Sequence, residues 1–229
     1  MRFRLLIMFG WFFCQTCIGS DKPIQAHPVY TCPNDKVTFV VGVAEDMATE
    51  AVKEALGDVL STARRNGFVV QKLYGAFATK ESYLSWLACP KLRVFWNISH
   101  GTAMNIVLSR DTELTATYVK NDVHLRCRTL VFSYSCNGFN GSLKTNFVAA
   151  GAQRFIGSNT KCAAGGPDLS TAKCFWNKAL EGKNITKALT DCKAEHKTIK
   201  LQIAGTGSDS VSPATTMIYT EAMMTHDEL

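Results

Sequence analysis

The chain has 229 residues, of which 46% are apolar and 19% are charged, with 16 Gly and 6 Pro. This composition and length suit one folded globular domain and exclude a collagen-like, mucin-like or largely disordered chain. The net charge of +6 includes Arg2 and Arg4, which lie in a segment that we expect to be removed, and there is no basic run. Nucleic-acid binding is therefore not indicated.

Residues 1–20 have the pattern of a secretory signal peptide. The two arginines precede an apolar stretch, 5–14, and small or polar residues that end at Gly19 and Ser20 follow it. This stretch is shorter than the roughly 20 apolar residues that a membrane-spanning helix needs. We therefore expect cleavage after Gly19 or Ser20 and no stable membrane span in the mature chain.

The remainder alternates between predicted strands and predicted helices. Apolar segments, several of them rich in β-branched residues, predict strands at 37–43, 68–73, 92–98, 129–134, 155–157 and 199–204. Helical spacing predicts helices at 52–65 (with Asp46 as its N-cap), 79–87, 143–153 and, as one long helix, 169–196. The segment 105–117 is predicted as a small β-hairpin. The sequence thus indicates one α/β domain, 21–225, whose mainly parallel sheet is covered by helices on both faces.

The last four residues are His226, Asp227, Glu228 and Leu229, which form the HDEL sequence read by the retrieval receptor of the endoplasmic reticulum. A retrieval signal has a purpose only in a lumenal protein, so the predicted signal peptide and this tail support each other. We expect residence in the lumen of the endoplasmic reticulum, with the HDEL receptor as a partner.

The oxidising lumen makes disulfides the first expectation for the cysteines. Seven cysteines remain after signal removal: Cys32, Cys89, Cys127, Cys136, Cys162, Cys174 and Cys192. Three disulfides would leave one free thiol. No CxxC or HxxxH pair is left in the mature chain, so no metal and no cofactor is predicted, and a thiol–disulfide oxidoreductase is a weak hypothesis.

Three Asn-X-Ser/Thr sequons begin at Asn97, Asn140 and Asn184. Because Asn97 lies inside a predicted strand, Asn184 and Asn140 are the better candidates for N-glycosylation.

Two predicted strands end directly before residues suited to nucleophilic catalysis. Strand 92–98 leads to His100 and Gly101, and strand 129–134 leads to Cys136. In an open parallel sheet, ligands bind at the carboxyl ends of the strands. A thiolate is a good nucleophile, an imidazole accepts and returns a proton near neutral pH, and the amides of Gly101 and Cys136 are placed to stabilise an oxyanion. The alternative is an ordinary strand-end histidine beside an inert buried thiol or a disulfide partner.

The order of short motifs between Val94 and Gly157 resembles the caspase-like cysteine peptidases, specifically the gingipain and CHAT-type branch, with legumains and separases as more distant relatives. The matching segments are, in chain order, 99–101, the hairpin 106–116, 135–138 and 147–157. The resemblance places the catalytic histidine at His100 and the nucleophile at Cys136. It implies a caspase-type α/β fold, with a small β-hairpin insertion, that hydrolyses peptide bonds through a Cys–His dyad.

The chain also departs from that family pattern. No acidic residue that would favour basic substrates precedes the nucleophile. Arg154 or Arg128 could favour an acidic side chain, but each is equally well explained as a solvated surface charge, so the substrate preference is open. No third residue that would orient His100 is evident from the sequence. If Cys136 is the nucleophile, the other six cysteines can pair, which agrees with the odd thiol count.

The leading hypothesis is a lumenal cysteine endopeptidase that acts on polypeptides through a thioester acyl-enzyme. A transpeptidase or ligase would use the same dyad. A catalytically inactive caspase-like protein that binds lumenal partners is the alternative from a different class. An α/β-hydrolase is not indicated, because the sequence has no GxSxG motif.

Overall fold

The computed structural model describes residues 33, 35–109, 112–125, 128–162, 167–198, 200–206 and 210–211. The predicted signal peptide and the HDEL tail lie outside these residues, as do Cys32 and Cys127. Their predictions remain as stated above.

The described residues form nine strands and six α-helices. The strands are β1 (Thr38–Val43), β2 (Val69–Tyr74), β3 (Leu92–Ile98), β4 (His100–Gly101), β5 (Asn105–Ser109), β6 (Thr112–Thr115), β7 (Leu130–Tyr134), β8 (Arg154–Ser158) and β9 (Leu201–Ala204). The helices are α1 (Glu50–Arg65), α2 (Lys80–Leu87), α3 (Ala116–Asp122), α4 (Ser142–Ala149), α5 (Pro167–Leu180) and α6 (Ile185–Glu195). Two short 3₁₀ helices, Glu45–Met47 and Gly75–Phe77, follow β1 and β2.

The central sheet has six strands in the order β2-β1-β3-β7-β8-β9. Neighbouring strands are parallel except β9, which runs antiparallel to β8. Every residue of β1, β3 and β7 is buried, as expected for near-continuous apolar strands covered on both faces. The prediction of a mainly parallel sheet is confirmed.

Helices cover both faces of this sheet. Successive residues of a strand point to opposite faces, so Trp96 packs in the cluster beneath α1, α5 and α6, and Phe95 packs in the cluster beneath α2, α3 and α4. The first cluster includes the contacting rings of Trp96, Phe132 and Trp176. The two cores hold the central strands rigidly between them.

The predicted hairpin is the β5–β6 pair, and β4 adds a third antiparallel strand to it. In β4, His100 pairs with Val107 and Gly101 pairs with Ile106. The hairpin prediction is confirmed, but it extended to residue 117, whereas α3 begins at Ala116 with Thr115 as its N-cap.

Three other boundaries differ from the prediction. The helix predicted at 169–196 is two helices, because Gly182 adopts a left-handed conformation (φ 88°) and Asn184 caps the start of α6. The helix predicted to reach residue 153 ends at Ala149, before Gly151 (φ 103°). The N-cap of α1 is Thr49, which accepts a hydrogen bond from the amide of Val52, and not Asp46.

Three of the described cysteines are disulfide-bonded. A disulfide joins Cys174 of α5 to Cys192 of α6, and Cys89 is also disulfide-bonded. None of the helices in the described part of the chain is long and apolar enough to cross a membrane.

The sequon at Asn97 is not available for glycosylation in the folded chain. Asn97 is completely buried in β3, accepts a hydrogen bond from the Tyr83 hydroxyl (2.9 Å) and donates one to Ser99 (2.8 Å). Asn140 is exposed, and Asn184 is half-buried at the start of α6. These two remain the predicted acceptors.

Candidate active site

The sheet register places the two predicted catalytic residues at the same level. Strands β3 and β7 are adjacent and parallel, and their last residues, Ile98 and Tyr134, are register partners. His100 and Cys136 each lie two residues beyond this pair. The amide of Ser99 donates to the carbonyl of Tyr134 (3.2 Å), which continues the pairing toward both residues. Both therefore lie just past the carboxyl edge of neighbouring strands, where such sheets bind ligands.

Two glycines let the loops after β3 and β7 pack closely around Ser135. A Cβ atom on Gly101 would lie 2.7 Å from the carbonyl oxygen of Asn105 and 3.0 Å from the Cβ of Ser135. A Cβ atom on Gly138 would lie 2.7 Å from the Oγ of Ser135. Neither position has space for a side chain, so glycine is required by this close approach.

Asp46 supplies the partner of His100 that the sequence did not reveal. Its Oδ2 lies 3.1 Å from Nε2 of His100. The contact arises because β1 is the other neighbour of β3: Val43 pairs with Ile98, and the amide of Ala44 donates to the carbonyl of Ile98 (3.0 Å). The 3₁₀ helix that carries Asp46 therefore begins beside the loop that carries His100.

This contact sets the roles of the two imidazole nitrogens. Nε2 faces the Asp46 carboxylate, so Nδ1 is the nitrogen left to exchange a proton with a nucleophile. The side chains are 56% exposed for His100 and 65% exposed for Asp46. An ion pair exposed to this extent orients the ring but adds little stability.

Cys136 is partly exposed, and its thiol lies against the backbone of Cys162. The amide of Cys162 donates to Sγ of Cys136 (3.4 Å), and this thiol in turn lies 3.7 Å from the Cys162 carbonyl oxygen. The Cys136 amide makes no hydrogen bond with any described residue, and its role as an oxyanion donor stays a prediction.

Cys162 is a second free thiol, which corrects the expectation that all six other cysteines pair. Its Sγ lies 3.7 Å from the carbonyl oxygen of Ser135. Burial raises the pKa of Cys162 to about 11, with smaller raising contributions from Asp168 and Cys136, against lowering ones from Ser158 and Lys200. The sequence could not have shown this, because Cys162 lies 26 residues from Cys136 and reaches it only through the fold.

The two arginines considered for substrate recognition lie at the wrong edge of the sheet. Arg154 is the first residue of β8 and pairs in register with Leu130, the first residue of β7. Its guanidinium donates to the carbonyl of Gly205. Arg128 precedes β7. Both therefore lie near the amino-terminal edge, whereas His100 and Cys136 lie beyond the carboxyl edge, and the predicted role in substrate binding is wrong.

One cluster in the described part of the chain combines three residue types that can bind a metal ion. The ligand atoms of Cys174, Glu195 and His196 lie within 4.8 Å of one another. The sulfur of Cys174 is bonded to Cys192, so it is not a thiolate and cannot act as the ligand that such a cluster would need.

No protein-family model matches the chain, and no curated protein sequence matches it significantly. Solved structures do match its fold. The Arg-specific cysteine proteinase gingipain R has a TM-score of 0.59 and 11% sequence identity, with 77% of this chain and 49% of that chain covered. The complex of Porphyromonas gingivalis RgpB pro- and mature domains has a TM-score of 0.59 and 10% sequence identity, with 77% of this chain and 50% of that chain covered. Separase from the Saccharomyces cerevisiae separase–securin complex has a TM-score of 0.52 and 11% sequence identity, with 75% of this chain and 12% of that chain covered.

This chain has a caspase-like fold. The predicted resemblance to gingipains and separases is thereby confirmed at the level of the fold. The caspase-like chain spans about half the length of the two gingipain structures and about an eighth of separase. Identities near a tenth establish the fold alone, so what the chain does follows from its own residues.

Proposed function

We propose that this chain is a cysteine peptidase of the lumen of the endoplasmic reticulum, with Cys136 as nucleophile and His100 as general acid and base. The observation that carries the proposal is the convergence of three strand ends. Asp46, His100 and Cys136 follow three adjacent parallel strands, and Asp46 contacts the His100 ring. A nucleophile, a base and a group that orients the base form the constellation that covalent catalysis requires.

In the proposed acylation step, Cys136, His100 and Asp46 act together. His100 takes the thiol proton of Cys136 at Nδ1, and the thiolate attacks the carbonyl carbon of a peptide bond. The amides of Gly101 and Cys136 stabilise the resulting oxyanion. The imidazolium, held by Asp46, then gives its proton to the leaving amine, and a thioester to Cys136 is left.

The second half-reaction decides between hydrolysis and transfer. His100 removes a proton from water, which attacks the thioester and releases the acid and free Cys136. An amine that reaches the thioester before water would instead give a new peptide bond, as in a transpeptidase or ligase. The open, solvent-exposed position of His100 favours access of water, and we therefore propose hydrolysis.

The matches to cysteine proteinases of the same fold support this proposal. Gingipain R is named as an Arg-specific cysteine proteinase. The residues directly before Cys136 include no acidic side chain that could bind a basic side chain of a substrate. We therefore propose a polypeptide substrate and assign no preferred substrate side chain.

Lumenal residence is the second part of the proposal and rests on sequence signals. These are the N-terminal segment 1–20 and the HDEL tail with its retrieval receptor. Deletion of residues 226–229 should move the protein from the cells into the medium. An unchanged distribution after this deletion would contradict retrieval.

The catalytic part is tested by expressing the full-length chain through a secretory pathway and assaying the mature protein on a mixed peptide library. Cys136→Ala and His100→Ala should each abolish cleavage. His124→Ala, which changes an exposed histidine on another segment, should not. Cleavage that persists in Cys136→Ala would overturn the assignment, and a folded wild-type protein with no cleavage would favour a binding protein.

A further inference from the structure

A second free cysteine, Cys162, lies beside the candidate nucleophile Cys136. Cys136 and Cys162 are the two free cysteines among the described residues. Each sulfur lies beside the backbone of the other residue or its immediate neighbour: Sγ of Cys136 is 3.4 Å from the Cys162 amide, and Sγ of Cys162 is 3.7 Å from the Ser135 carbonyl oxygen. Each thiol therefore lies beside the segment that carries the other one.

Hydrogen bonds between two loops hold this arrangement in place. The loop after β7 and the loop after β8 are joined from the amide of Asn137 to Thr160 (2.9 Å) and from the amide of Phe139 to Ser158 (2.9 Å). The Asn140 side-chain amide adds a third bond, to the Asn159 carbonyl (2.7 Å). Two cysteines on loops that are fixed so closely can approach disulfide distance without rearrangement of the sheet.

The other described cysteines do not compete for either thiol. Cys174 is bonded to Cys192, and Cys89 is disulfide-bonded as well. A structural disulfide at Cys136 would consume the nucleophile, whereas two reduced thiols on adjoining loops form a pair that an external disulfide can oxidise.

We propose that Cys136 and Cys162 are a redox-active thiol pair, which forms a reversible disulfide by exchange with a small-molecule disulfide. The chemistry of the pair stands by itself. That the disulfide switches a peptidase off rests on the function proposed above, because a Cys136 bonded to Cys162 cannot attack a peptide bond.

The exchange has two balanced steps. The Cys136 thiolate attacks one sulfur of oxidised glutathione, which forms a mixed disulfide and releases one glutathione thiolate. The Cys162 thiolate then attacks the Cys136 sulfur, which closes the internal disulfide and releases the second glutathione. The two protein thiols lose two protons and two electrons, and one oxidised glutathione becomes two reduced molecules.

The order of the two thiols follows from their surroundings. Sγ of Cys136 receives a hydrogen bond from the Cys162 amide, whereas burial keeps the pKa of Cys162 near 11, so Cys136 attacks first. Once the mixed disulfide has formed, Cys162 is the free thiol that lies beside the segment carrying Cys136, and it acts as the resolving thiol.

The test is thiol mapping on the mature protein after equilibration with reduced and oxidised glutathione. Samples are quenched with acid, remaining thiols are alkylated, and the peptides that contain Cys136 and Cys162 are identified by mass. We expect these two peptides to be linked under oxidising conditions and to separate on addition of dithiothreitol. A bridge from either cysteine to another cysteine, or two thiols that stay fully alkylatable, would overturn the proposal.

Total glutathione concentration provides an internal control. An internal disulfide releases two glutathione molecules for each one consumed in oxidised form, so at a fixed ratio of the two forms the linked fraction should rise as total glutathione is lowered. The fraction of protein in a mixed disulfide with glutathione depends only on the ratio of oxidised to reduced glutathione. In Cys162→Ser, oxidation should stop at the Cys136 mixed disulfide; in the wild type, a persistent mixed disulfide without linkage would contradict the proposal.

This readout is independent of peptide cleavage. If the linkage forms and no peptide is cleaved under reducing conditions, the proposed function fails and the thiol pair stands. If peptides are cleaved and the linkage never forms, the pair fails and the peptidase stands. If both are correct, cleavage should be lost as the linked fraction rises and should return with dithiothreitol.

Discussion

The carboxylate of Asp46 lies 3.1 Å from Nε2 of His100, across the ends of two adjacent parallel strands. The contact gives the imidazole a fixed partner on one side and leaves its other nitrogen for the thiol. It also places the loop after β1 in the candidate site, together with the loops after β3 and β7.

Replacement of Asp46 should weaken catalysis moderately. An exposed pair of this kind is worth about 1 kcal/mol at most, which corresponds to roughly a fivefold loss of kcat/KM in Asp46→Asn. Steady-state kinetics on a cleavable peptide measures this loss. Asp58→Asn is the matched control, because Asp58 is also an exposed carboxylate with a cationic partner, Lys173, and lies on α1. Equal rates in Asp46→Asn and the wild type would exclude the orienting role.

Two glycine substitutions should have opposite effects on stability. Gly101→Ala would place a methyl group 2.7 Å from the Asn105 carbonyl oxygen, so we expect a lower free energy of unfolding and lost activity. Gly57→Ala lies in α1 with nothing within 4 Å of the new atom and should stabilise the protein by about 0.5–1 kcal/mol. Denaturant unfolding measures both, and a neutral Gly101→Ala would show that the loop has more room than the structure gives it.

The buried pair of Tyr83 and Asn97 should be important for stability. Tyr83→Phe leaves the Asn97 side-chain oxygen without its 2.9 Å donor in a fully buried position, which should cost about 1–3 kcal/mol. Tyr118→Phe, which changes a partly exposed tyrosine, should cost much less. Urea unfolding compares the two, and similar stabilities of the variants would argue against the buried hydrogen bond.

The central architecture could be predicted from the sequence because its strands are local and strongly patterned. The sequence predicts the buried runs of β1, β3 and β7 within one residue, and His100 and Cys136 follow β3 and β7. Apolar strands covered on both faces leave a signal in every residue, so their bounds can be predicted.

The missed parts of the site depend on contacts between distant segments. The sequence predicts Asp46 as a helix N-cap because an acidic residue before a helix is a local signal, whereas its contact with His100 requires β1 and β3 to be neighbours. The position of Cys162 depends on hydrogen bonds between the loops after β7 and β8. Counting thiols could not reveal that two of them are reduced and adjacent.

Glycosylation provides a test of the lumenal proposal. Loss of Thr186 destroys the sequon at Asn184 and leaves the Asn184 side chain as the cap of α6, so Thr186→Ala should remove one glycan from protein made in the secretory pathway. Mass measurement before and after enzymatic deglycosylation detects the change. A glycan found on Asn97 would contradict the burial of that side chain.

The most direct test of the Cys136–His100 dyad is the alkylation rate of each thiol in the reduced, folded protein near pH 6. A slow alkylating reagent should modify Cys136 and spare Cys162, because burial raises the pKa of Cys162 to about 11 and keeps it protonated. His100→Ala should greatly slow the reaction at Cys136, whereas His124→Ala should leave it unchanged. Preferential modification of Cys162, or a Cys136 rate that is unaffected by His100→Ala, would contradict the dyad.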